Sequence, residues 1–74
     1  MNYTKAKSLT RILAVDYGEK RVGLAISDLM QIIAKPYKTL DNSTYNALLS
    51  QLKVIIKEKL IEKVVIGLPT TLNN

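Results

Sequence analysis

Apolar and polar positions fall in blocks along this chain, and each block has its own period. Ile12 to Val15 is an unbroken apolar run that ends at one carboxylate, Asp16. Gly18 and the polar cluster Glu19, Lys20, Arg21 follow. A short apolar run bounded by turn residues predicts a strand over about 11–16, buried on both faces. A second run, Val22 to Ile26, predicts a strand over about 22–27, closed by Asp28 as a strand-end turn residue. Two such strands joined by a few polar residues with a glycine form an antiparallel hairpin. Gly23, inside the second strand, predicts a bulge or a close backbone approach. Residues 31–40 mix Ile32, Ile33, Ala34 and Leu40 with Pro36. Proline cannot donate to a ladder, so this third strand lies at an edge or breaks there. Lys35 and Lys38 would guard that edge against another chain.

The period then changes. Asp41, Asn42, Ser43 and Thr44 are all helix N-cap types. Tyr45, Leu48, Leu49, Leu52, Ile55, Ile56 and Leu60 follow in steps of three and four. That spacing predicts a helix from about Ser43 to Lys59, with Leu48, Leu52, Ile55 and Ile56 against a sheet. Lys63 to Gly67 is a β-branched run and predicts a fourth strand. Strand, helix, strand implies a right-handed crossover and a parallel partner. The expected fold is α/β: three antiparallel strands, one helix and one parallel strand, in the order 3-2-1-4. Asp16 and the Gly67-Leu68-Pro69 turn then meet at the carboxyl ends of strands one and four. Ligands collect at such ends in open α/β sheets.

Composition narrows the chemistry. A chain of 74 residues is one domain. Residues 1–9 read as a loose basic arm and residues 10–74 as the folded part. Cysteine and histidine are absent, which excludes disulfides, thiolate or imidazole metal sites and a histidine base. A bound metal would be a hard cation held by oxygen, magnesium or manganese. The formal charge is +5, eleven basic against six acidic residues, which favours nucleic acid or another polyanion as partner. No apolar run has signal-peptide or membrane-spanning length, so a cytoplasmic protein without a membrane partner is expected. For Asp16 two readings stand side by side. A carboxylate before glycine starts many turns by capping backbone N–H groups. A buried, unpaired carboxylate instead calls for a cation.

Asp16-Tyr-Gly-Glu-Lys-Arg21, then Val22-Gly-Leu-Ala-Ile-Ser-Asp28, then Val65-Ile-Gly-Leu-Pro69 resemble the YqgF/RuvX family. Its members are RNase H-like proteins described as Holliday junction resolvases and as nucleases that mature the 5′ end of pre-16S rRNA, a step of ribosome biogenesis. The resemblance implies that Asp16 is the strand-one carboxylate of a catalytic magnesium or manganese site. It implies that Gly18 permits the turn after it, and that Lys20 and Arg21 meet phosphate. Gly67, Leu68 and Pro69 would line the site. The resemblance covers only the first half of a family member. The second helix, a fifth strand with an Asp-Glu-Arg-like motif and a last helix with another Asp have no counterpart here. The chain therefore reads as a truncated RNase H-like domain.

Three functions follow. The first is a metal-dependent hydrolase cutting an rRNA precursor or branched DNA, with this short form inactive by itself for want of converging carboxylates. The second is a non-catalytic nucleic-acid-binding remnant, self-associating or awaiting its missing C-terminal half. The third is an ATP-binding piece of the actin and sugar-kinase type, which needs a second Asp-x-Gly motif that the sequence lacks.

Overall fold

A computed structural model describes residues 9–67. The expected basic arm before Leu9, Leu68 and Pro69 that were expected to line the site, and the Thr70-Thr71 pair lie outside the described residues.

Strands β1 (Arg11–Tyr17), β2 (Arg21–Ser27) and β3 (Ala34–Asp41) precede helix α1 (Tyr45–Glu58) and strand β4 (Ile61–Gly67). The sheet order is β3-β2-β1-β4, as the hairpin and crossover signals require. β1 and β2 are antiparallel, and β1 and β4 are parallel, with Leu13, Ala14 and Val15 beside Val64, Val65 and Ile66. Together with α1 this is a partial α/β, RNase H-like arrangement. β3 is an edge strand, as Pro36 demands. Its pairing with β2 shifts register between Leu24 and Ala25, where Pro36 lies opposite Ala25. The irregularity thus sits at the proline's partner, and not at Gly23. Ile32 and Ile33, expected near the start of β3, fall in the preceding loop.

One layer of core joins α1 to the sheet. Leu13, Val15, Val22, Leu24 and Leu40 from the strands meet Leu48 and Ile55 of the helix. Leu13 and Val22 are fully buried. Thr44 caps α1, its hydroxyl accepting from the Ala47 amide at 3.1 Å. Leu52 is half-buried against the core. Ile56, expected to face the sheet, is exposed. The helix turns about 100° per residue, so Ile56 stands roughly 80–100° around the axis from Leu48 and Ile55, on the flank of the stripe. β1 is likewise buried on one face only, with Leu13 and Val15 inside and Ala14 exposed. The expectation of burial on both faces fails because α1 is the sole helix among the described residues, and one helix covers one face.

Candidate active site

The face of the sheet turned away from α1 is built largely from small residues around β1. Side chains alternate along each strand, so Asp16 lies opposite in sense to Val15 and projects from this open face. Directly opposing residues share a face. The pairings Gly67–Asp16, Asp16–Gly23 and Gly23–Thr39 therefore set one row across β4, β1, β2 and β3. The next row is Val65, Ala14, Ala25 and Pro36. A single carboxylate thus stands between two glycines, in front of a floor of alanines. Spacing between strands of about 4.8 Å makes the row about 14 Å long. A shallow cleft of about 350 Å³ opens beside it, reaching from Asp16 over Gly23 and Ala25 to Tyr37, Lys38 and Thr39.

Asp16 is exposed. Its position therefore carries no desolvation cost that a cation must offset, and the sequence argument from burial does not hold. The turn-capping reading fares no better. No hydrogen bond or ion pair joins the Asp16 carboxylate to another described residue. Asp28 does what a turn carboxylate does. Its Oδ1 accepts from the amides of Ile33 at 2.8 Å and Ile32 at 2.9 Å, and its Oδ2 from Met30 at 3.1 Å. These bonds, that from Ile33 first, hold its carboxyl below the ordinary aspartate range.

The turn between β1 and β2 has a steric need for glycine. A Cβ on Gly18 would lie 2.6 Å from the carbonyl oxygen of Arg21. Gly23 has less at stake, because a Cβ there would meet the Asp16 Cβ at an ordinary 3.8 Å. Its lack of a side chain keeps the space beside the carboxylate open. Gly67 is similar, with Val15 O at 3.9 Å. Lys20 and Arg21 are exposed at the hairpin tip. Asn42 ties that tip to the end of β3, donating from its amide to Lys20 O at 2.9 Å and from Nδ2 to Gly18 O at 2.8 Å. Asn42 was legible only as a capping type, and Thr39 not at all, since its place in the Asp16 row depends on the β3 register.

A family model described as RuvX, Holliday junction resolvase, matches residues 10–74. The chain belongs to this family. Several relatives carry the name "Putative pre-16S rRNA nuclease". That of Maridesulfovibrio salexigens is 48% identical over 63 residues, 85% of this chain and 47% of the relative. That of Flavobacterium psychrophilum is 49% identical over 65 residues, 88% and 45%. That of Clostridioides difficile is 43% identical over 63 residues, 85% and 45%. The chain spans about half the length of the curated relatives it matches.

The RuvX family membership invites a test of the site for a metal. Asp16 is an oxygen donor with open space on both sides, which suits a hard cation by kind. It does not suit one by number. Among the described residues no three acidic side chains converge. Magnesium keeps several waters and takes one or two carboxylates, but positioning two metals needs more. Among the described residues, too, no helix is long and apolar enough to cross a membrane.

Proposed function

We propose that this chain carries the strand-one part of a metal-dependent nuclease centre that acts on precursor 16S rRNA. What supports the reading is the open carboxylate of Asp16, framed by Gly23 and Gly67, in a chain of a nuclease family. Asp16 would be one of the ligands of magnesium or manganese, which would supply charge stabilisation and water activation for phosphodiester hydrolysis. The glycines leave room for the phosphate to approach the sheet. Lys20 and Arg21, raised on the hairpin tip, attract the backbone on either side of the cut. The remaining ligands come from sequence equivalent to the other half of the relatives. The setting would be the cytoplasm, where ribosomal precursors are processed. A second reading, a nucleic-acid-binding module without catalysis, is favoured by the lone carboxylate in the row across the sheet.

The deciding experiment is a cleavage assay with magnesium or manganese. It uses the 74-residue chain and a chimera that adds the other half of the M. salexigens relative. Substrates are a precursor 16S rRNA 5′ segment and a four-way DNA junction, after the family's description. The chimera is expected to cut the RNA, and Asp16→Asn to slow it by about a hundredfold or more, beyond what loss of an outer-shell partner typically costs. A chimera that stays fully active after Asp16→Asn would remove Asp16 from the site. Cutting of the junction in preference to the RNA would reassign the substrate. Binding without cleavage by both proteins would leave the module reading.

A further inference from the structure

A second cleft, of about 380 Å³, lies on the helix side of the sheet at the opposite end of β1 from Asp16. Three cations from three separate elements line it: Arg11 from β1, Lys35 from β3, and Lys59 just past α1. Two of them are held in place. The Arg11 guanidinium donates from Nη1 to Lys59 O at 3.0 Å, and the Lys59 ammonium lies 5.7 Å from the centre of the Tyr37 ring. No carboxylate pairs with any of the three among the described residues. Asp28 also lines the cleft, but its oxygens are taken up by the amides of Met30, Ile32 and Ile33. Its charge offsets one cation and leaves an excess of two. Ile26 and Ile33 give the cleft an apolar wall. Cations gathered from different elements repel one another, and an anion seated among them removes that cost.

We propose that this cleft is a phosphate-binding site for a nucleotide. The phosphate sits among Arg11, Lys35 and Lys59, and the apolar part of the nucleotide lies against Ile33. The nucleotide is either free or one unit of a strand, and the phosphate chemistry is shared. The site is independent of the nuclease reading. Arg11 and Asp16 are five residues apart on β1, roughly 17 Å, and face opposite sides of the sheet.

The test is an amide NMR titration of the 74-residue chain with pyrophosphate, AMP and a short oligothymidylate. Saturable shifts are expected at Arg11, Ile33, Lys35 and Lys59. The double change Lys35→Gln with Lys59→Gln should weaken binding on the order of tenfold, from about two- to fivefold for each cation lost. Removing the same charge from the outer helix face, by Lys53→Gln with Lys57→Gln, should change it less than about twofold. Should the first pair disturb the fold, seen as spectrum-wide change without ligand, Lys35→Gln alone carries the comparison. Saturation by AMP assigns a free nucleotide, and saturation by the oligonucleotide alone assigns a strand. Equal losses from both pairs would mean diffuse attraction and overturn the site. So would shifts confined to Lys20 and Arg21, or no saturable shift with any of the three. Asp16→Asn should leave this binding unchanged whatever it does to cleavage.

Discussion

Asp16 and Asp28 are both strand-end aspartates, and the loops that follow them treat their carboxylates differently. Asp28 is wrapped by a loop that turns three amides onto its carboxylate. Asp16 is followed by a hairpin that, among the described residues, turns no amide onto its carboxylate, and Asn42 braces that hairpin by donating to the Gly18 and Lys20 carbonyls. For Asp28 this predicts an acid response. The folded pKa of Asp28 is depressed, so its stabilising contribution is present above the unfolded value of about 3.9 and fades as pH falls through the lower folded value. Acid titration of the Ile32 and Ile33 amide signals should therefore show their loss below about pH 4, and Asp28→Asn should already perturb them at neutral pH. Unchanged Ile32 and Ile33 signals in the Asp28→Asn variant would mean the loop is held by other bonds. Gly18 gives a steric prediction at the same scale. Gly18→Ala puts a Cβ at 2.6 Å from a backbone oxygen, which cannot swing away as a side chain could. A loss of about 1–3 kcal/mol in denaturant unfolding is expected, the range for forced overpacking. Gly23→Ala meets no such clash and should cost less than Gly18→Ala.

At the scale of elements, periodicity told which segments are strand or helix, but not how far each face is covered. The α1 stripe was legible because steps of three and four residues leave few alternatives. Its width was not, since an apolar flank residue such as Ile56 looks the same in sequence as Leu48. Burial separates them and makes the helix testable. Leu48→Ala should cost about 2–5 kcal/mol. Leu52→Ala, half-buried, should cost about half as much, and Ile56→Ala, 37% exposed, should cost less than Leu48→Ala. A larger loss at Ile56 than at Leu48 would mean that something outside the described residues covers the flank. The order of strands was legible for a different reason. Hairpins and crossovers each have one favoured geometry, so the hairpin signal, the helix and the Lys63–Gly67 run together left one arrangement. The β3 register was not legible. The shift opposite Pro36 decides that Thr39, and not Lys38, shares the row with Asp16. Proline announces an irregularity without saying on which side the extra residue goes.

For the whole molecule, charge and topology point in compatible directions. The sheet delivers Asp16 and Gly67 to one edge because parallel neighbours end together, and the β1–β2 hairpin raises Lys20 and Arg21 at that same end. The far end of β1 holds Arg11, with Lys35 and Lys59 beside it. Basic side chains therefore stand at both ends of the sheet as well as on the outer face of α1. Nucleic-acid affinity should fall with salt, and the slope should count the phosphates that are neutralised. Replacing Lys20 and Arg21 by Ala should flatten the slope by about 0.7 per lost contact on a single strand, or about 0.9 on duplex. Each such contact is made by an exposed side chain to phosphate, so the change should be similar for sequences of different composition. Neither residue packs on the core, so melting temperature serves as the control and should hold steady. An unaltered salt slope with unaltered melting would reduce the tip to a solvated turn. The contribution of the Arg11 end is tested separately by the glutamine pair at Lys35 and Lys59.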